Sequence, residues 1–360
     1  MPHPTVVNRT PFSASPLFLT DNDLRTVLVP LVRATFRIEH DGQLVVHDQQ
    51  MEPQLAGVFW GDPVASSYKF EPECAFFKPA TDVALIGSAC AGKPGTTELQ
   101  VGLRLGAMQK VLRVTGDRVM SRTLGSWRMS TPQPFERIPL VYERAFGGWD
   151  RQHADPAEHR CEPRNPVGTG FRRSSGSSTD DLVVPNIEDP SSTFGYPGET
   201  PVPAGLGFTS PSWQPRAAYA GTYDEAWNTQ RKPLLPLDFD ARFFNAASPG
   251  LVAAGHLLGN EAVLVANASA RGRLAFNLPS VAAPVAEVEL RNFKRYTVQT
   301  LLDTVIIDTD QHLVHLLWRG HLRTPGGPHD LVAMRISSET HVADSPEPEP
   351  LPVELPEEED

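Results

Sequence analysis

Cysteine is scarce in this chain, and long apolar runs and an excess of basic charge are missing from it. Three cysteines, Cys74, Cys90 and Cys161, stand far apart without a CxxC pair. That pattern argues against a disulfide framework or a structural zinc site and reads as buried, reduced thiols. No stretch approaches the ~20 consecutive apolar residues of a membrane-spanning helix, so no membrane insertion is expected. Asp and Glu number 43 against 32 Lys and Arg, a formal charge of −11. Nucleic acid, whose phosphates call for concentrated cations, is therefore not an expected partner. The opening Met1-Pro2-His3-Pro4-Thr5 has neither the basic nor the apolar region of a secretory signal peptide, and the chain is expected to be soluble and cytoplasmic.

Catalytic and cofactor signatures are also short. There is no GxSxG elbow. Ala91-Gly92-Lys93-Pro94-Gly95-Thr96-Thr97 lacks the order of a phosphate loop and precedes a strand, so it reads as a turn. His312 and His315 sit three apart in a strand pattern and project to opposite faces, a poor metal pair. No cofactor or metal is expected.

What is present is alternation. Leu99, Val101, Leu103 and Leu105 interleave with Gln100, Gly102, Arg104 and Gly106, the period of two of a strand buried on one face. Thr26–Val29 and Ala34–Ile38 are β-branched-rich, and Asp41-Gly42 before Leu44-Val45-Val46 is a hairpin signal. Val111–Val114 and Arg118–Met120 continue as a meander. Ala262–Ala266, Leu274–Leu278, Val285–Leu290, Thr304–Ile307 and His312–Trp318 repeat the style. Helix signals are few: Thr222 and Glu225 spell a capping box for a helix to about Gln230, and Ser248 to Leu258 is a second candidate with Gly259 as its stop.

These elements predict a mainly β protein: antiparallel sandwich or barrel-like sheets in two strand-rich lobes, 1–148 and 246–341, with one or two short helices. A Gly-, Pro- and aromatic-rich connecting segment, 149–245, joins them. Its aromatics include Trp149, Phe194, Tyr196 and Trp213, with Tyr223 and Trp227 at the short helix. Large rings in a loop either pin it to the sheets or form an exposed patch for a partner. The tail, 342–360, is expected to be disordered: from Asp344 to Asp360 it holds eight acidic residues, five prolines and no Lys or Arg, leaving −3 on the rest of the chain. It reads as a solubilising tail or as a docking strip for a basic partner surface.

The strings Pro139-Leu140-Val141-Tyr142-Glu143-Arg144-Ala145-Phe146-Gly147-Gly148, Arg164-Asn165-Pro166-Val167-Gly168-Thr169-Gly170, Pro185-Asn186-Ile187-Glu188 and Pro203-Ala204-Gly205-Leu206-Gly207 resemble the signature of a bacterial family, the domain of unknown function 2169. Gly221-Thr222-Tyr223-Asp224 with Trp227, Pro236-Leu237-Asp238-Phe239-Asp240 through Phe243-Phe244-Asn245, and the opening Asn8-Arg9-Thr10-Pro11-Phe12 extend the likeness over about 1–335. The resemblance implies a non-catalytic type VI secretion adaptor or chaperone, which binds a toxin effector and helps load it onto the VgrG and PAAR-repeat spike. It transfers no catalytic residue. The six aromatics Trp149, Phe194, Tyr196, Trp213, Tyr223 and Trp227 are the expected protein-binding residues, with the loop platform or a sheet edge as the gripping surface. The competing reading is a carbohydrate-active hydrolase or sugar-binding protein, in which Glu143, Glu188, Asp224 and Asp238 supply a carboxylate pair and the aromatics stack on sugar.

Overall fold

The computed structural model describes residues 4–21, 23–123, 125–174 and 181–338. The acidic tail, and 175–180 of the loop before Asp181, lie outside the described residues. Among the described residues the fold is mainly β, with several largely antiparallel sheets and no closed barrel.

A seven-stranded sheet is organised by one long strand, Thr26–Ile38. The sequence suggests two strands here; they run into one because Pro30 lies opposite Pro16 of Ser13–Thr20. Facing prolines confine the missing donors to a single rung of the ladder. On its other side the long strand pairs with Leu313–Arg319, which pairs with Leu301–Asp308, which in turn runs parallel to Asp82–Ile86. Leu44–Val46 folds back on its end across Asp41-Gly42, as the hairpin signal predicts.

Alternation sends Leu28, Val32, Ala34, Phe36, Val305, Ile307, Val314, Leu316 and Trp318 into the main core. Opposite them lie Val101, Leu103, Leu105, Leu112, Val114, Val263 and Val265 from a five-stranded sheet. Its strand order is Ile187–Glu188, Met108–Thr115, Glu98–Leu105, Ala262–Ala266, Arg273–Asn277. A four-stranded sheet closes the same core with Val288, Leu290, Val298, Met334 and Ile336; its order is Thr5–Asn8, Leu331–Ser337, Val285–Leu290, Arg295–Gln299. The layers thus form a sandwich whose two larger sheets each draw strands from both strand-rich stretches of the sequence.

The other face of the seven-stranded sheet is covered as well, and between its apolar residues Val27, Val29, Leu31, Ala84, Ile86 and Ile306 it carries a polar patch. Arg33, Thr35, His315, Arg319, Asp82 and Thr304 are buried there. The irregular run that follows Leu44–Val46 carries Glu71, Glu73 and Lys78 over them. Arg33 meets Glu73 at 2.6 Å, Lys78 meets Asp82 at 2.7 Å, Arg319 meets Asp303 at 2.5 Å, and Arg216 pairs with Glu71. Charges removed from water persist only when paired and hydrogen-bonded, and here each has an opposite neighbour.

Four expectations need correction. Arg118–Thr123 does not extend the 98–115 hairpin but pairs with Ser126–Met129 and Leu182–Val184 in a separate sheet. The run from Ser248 to Leu258 is not helical. Its peptide groups serve neighbouring strands instead, with Val83 N donating to Leu251 O and Leu257 N to Thr81 Oγ1. The helix Glu225–Gln230 does form, but Asp224 caps it, not Thr222. The thiols are free, yet Cys74 is exposed and the other two are half-buried. Among the described residues no helix is long and apolar enough to cross a membrane.

Candidate binding surface

Four glycine- and proline-containing strings, 139–148, 164–170, 185–188 and 203–207, converge on one seam between the sheets. Asn165 is fully buried, and its amide donates to Tyr142 O at 2.8 Å and to Phe146 O at 2.9 Å. Gly147, at φ 151°, passes so close that a Cβ there would lie 2.1 Å from Asn165 O; only glycine suits both the angle and the approach. Asn186 repeats the device, donating to Thr115 O and Asp117 Oδ1 while accepting from Arg144. Gly205 lies beneath the Tyr142 ring, where a Cβ would come within 2.6 Å of it.

Tyr142 leads to a small polar cluster. Its hydroxyl donates to Ser248 Oγ at 2.9 Å, Ser248 Oγ donates to Gly205 O at 2.8 Å, and Lys110 Nζ donates to Ser248 Oγ and Pro249 O, both at 2.7 Å. Burial pushes the Lys110 ammonium down to about 8 and the Tyr142 phenol up to about 12. Ser248 is fully buried and hydrogen-bonded on every side, so the cluster locks the seam and offers no open nucleophile.

One motif leaves the body. From Gly221 to Phe239 the chain makes an excursion whose base is pinned by Asp240 N donating to Tyr219 O at 3.0 Å, with Arg242 stacked 4.4 Å over the Tyr219 ring. Asp238 accepts from Thr222 N at 2.9 Å and from its hydroxyl at 2.7 Å, bonds that hold its carboxyl below the usual range. Inside, Trp227 N donates to Asp224 and Trp227 Nε1 donates to Leu234 O, both at 2.8 Å. The helix has no buried residue. Its order comes from its cap and turns rather than from a core, which is unusual for so short a helix. Tyr223 packs edge-on to Trp227 at 4.7 Å, beside a shallow pocket of about 310 Å³ lined by Trp227, Gln230, Arg231, Leu237 and the two aspartates.

The sequence profile of a family described as uncharacterized protein conserved in bacteria (DUF2169) matches residues 23–319. The chain belongs to this family. No curated protein and no solved structure matches it.

Within this DUF2169 chain the six expected binding aromatics divide. Phe194 and Trp213 are corrections: at 3% and 4% exposure their surface is already used. Phe194 stacks on Phe146 at 6.0 Å, and Trp213 meets Tyr142 edge-on at 5.3 Å. Both pin the connecting segment to the body. Trp149 and Tyr196 are exposed, and Arg151 sits 5.5 Å over the Trp149 ring. Only Tyr223 and Trp227 are brought together. The candidate carboxylates are engaged: Glu143 accepts from Ser67 N and Oγ, Glu188 holds Arg118 and Phe194 N, Asp224 caps the helix, and Asp238 holds Thr222. Among the described residues no group of His, Cys, Asp and Glu is arranged to hold a metal ion.

Sequence reasoning missed Leu237, 85% exposed at the pocket rim; its signal was an apolar residue between Pro236 and Asp238 in a turn. It also missed a groove lined by Arg25, Lys294 and Arg323, whose members lie far apart in the chain.

Proposed function

We propose that this protein is a type VI secretion adaptor or chaperone that binds a toxin effector and assists its loading onto the VgrG and PAAR spike. The observation that carries the reading is the self-braced excursion: a helix that has no buried residue yet holds Tyr223 and Leu237 in solvent. Exposed aromatic and aliphatic side chains on a pre-ordered support suit a protein-binding hot spot, because little side-chain entropy is lost on contact. Exposed edge strands, Thr5–Asn8 and Arg295–Gln299, add a second way to hold an extended peptide. A hydrolase would need free carboxylates converging on a cleft; the occupation of Glu143, Glu188, Asp224 and Asp238 by structural hydrogen bonds favours the adaptor.

Co-expression with the toxin or PAAR protein encoded beside it tests the proposal. A soluble, co-purifying complex is expected, weakened by Tyr223→Ala and Leu237→Ser without loss of folding. Failure to bind every neighbouring effector overturns the reading. Glycan cleavage abolished by Glu143→Gln or Glu188→Gln would replace it with the hydrolase.

A further inference from the structure

The groove that sequence reasoning missed has an open volume of about 660 Å³ and is lined by Leu24, Arg25, Thr26, Lys294, Tyr296, Arg323 and the turn Thr324–Gly327. It carries three cations and no carboxylate. Arg323 is satisfied by Asp21 at 2.8 Å and Asp23 at 3.5 Å. Arg25 and Lys294 are exposed, and neither side chain has an ion-pair partner among the described residues. Apolar surface flanks them: Leu24 is 60% and Phe293 89% exposed. Two free cations beside exposed apolar side chains call for an occupant that is acidic and partly apolar.

We infer that this groove is the docking site of the chain's own acidic tail. From Asp344 to Asp360 the sequence offers eight carboxylates, no Lys or Arg, and the apolar residues Leu351, Val353 and Leu355 between them. Charge and apolar content both complement the groove. The tail is also close enough. Leu331–Ser337 starts beside the groove, since Leu290 pairs with Leu331 and Leu290 N donates to Lys294 O at 2.9 Å; seven residues of strand carry the chain ~20 Å away. The seven residues from Ser338 to Asp344, six steps of chain, span up to ~20 Å, enough to return Asp344 to the Lys294 turn. Tethering then supplies the tail at an effective concentration in the millimolar range, so weak contacts suffice. The docked tail neutralises Arg25 and Lys294 and covers Phe293. Any acidic partner seeking this groove has to displace it.

The full-length protein tests this through its lysines. Lys93, Lys232 and Lys294 are all exposed, and a carbodiimide that joins a carboxyl to an amine with loss of water reports which of them the tail visits. At about 0.02 M salt, tail-to-Lys294 amides within one chain are expected to exceed those to Lys93 or Lys232 by about tenfold, and to fall to their level at about 0.5 M salt, where the Debye length is a few ångströms. Arg25→Glu, and separately Gln at Glu354, Glu357, Glu358 and Glu359, should each erase the preference. Equal coupling to the three lysines, no tail coupling, or coupling only in cross-linked dimers overturns the inference; the last outcome assigns the groove to a second copy.

Discussion

Asn165 and Tyr142, 23 residues apart in sequence, are joined by a fully buried hydrogen bond of 2.8 Å from the Asn165 amide to the Tyr142 carbonyl. The same amide reaches Phe146 O, so one side chain closes the loop that carries the Glu143 and Arg144 contacts. Asn165→Ala removes both bonds; Tyr142 O keeps Ala145 N as a donor at 3.1 Å, whereas Phe146 O loses the Asn165 amide. A buried polar group left unpaired costs about 1–3 kcal/mol and a lost bond about 1 kcal/mol, so a loss of about 2–4 kcal/mol is expected in urea denaturation. Gly205→Ala, which drives a methyl into the Tyr142 ring, should be comparably harmful. If either variant unfolds at the wild-type midpoint, the seam is not what holds the connecting segment.

Arg319 and Asp303 are at 2% and 1% side-chain exposure, and Arg319 also donates to Glu73 O and Ala75 O. Removing one partner leaves an uncompensated charge. Asp303→Ala should cost about 3–5 kcal/mol, whereas adding Arg319→Met should restore part of that loss. A double-mutant cycle on denaturation midpoints measures the coupling; additive losses would mean the pair is energetically independent.

The alternation of Val101, Leu103 and Leu105 was legible because that strand has one buried face, where period two speaks directly. Thr26–Ile38 is buried on both faces, so its apolar run disclosed a strand but neither its partners nor its length across Pro30. Arg33 and Thr35 within it were the trace of a polar face, yet the groups that answer them come from 40 residues away at Glu73 and 280 residues away at His315. Local pattern carries no such pairing. The aromatics failed for a related reason: Trp213 and Tyr223 both sit in Pro- and Gly-rich surroundings, and only the tertiary position of Gly205 and Tyr142 decides that the first is core. The glycines of the motifs were legible as backbone devices, because Gly147 needs its positive φ whatever surrounds it.

His315 sets a pH dependence. Burial and the nearby Arg33 charge push its imidazole down to about 3. An unfolded histidine titrates near 6.5, so between about pH 6.5 and 3 the unfolded chain binds the extra proton and stability falls with pH. The loss should reach about 3 kcal/mol near pH 4. Glu71, Glu73 and Asp308 have raised carboxyl values from burial and act in the opposite sense, so the test is a difference. His315→Asn should show a flatter acid limb than wild type below about pH 6.5 and run parallel to it above. Superimposable limbs would remove His315 as the sensor.

Asp224 separates local order from global stability. Its carboxylate accepts from Trp227 N at 2.8 Å and is the only side-chain cap of the Glu225–Gln230 helix. Loss of such a cap costs about 1 kcal/mol, enough to fray a helix with no buried residue but not to unfold sheets whose core lies elsewhere. Asp224→Ala should therefore leave the melting temperature within a degree or so, speed amide exchange in 225–230 about fivefold, and weaken binding of the proposed effector by a similar factor, because Tyr223 and Trp227 lose their fixed geometry. Asp224→Ser keeps an acceptor at the cap and should recover most of both effects. Faster exchange with unchanged binding would show that the partner grips some other surface.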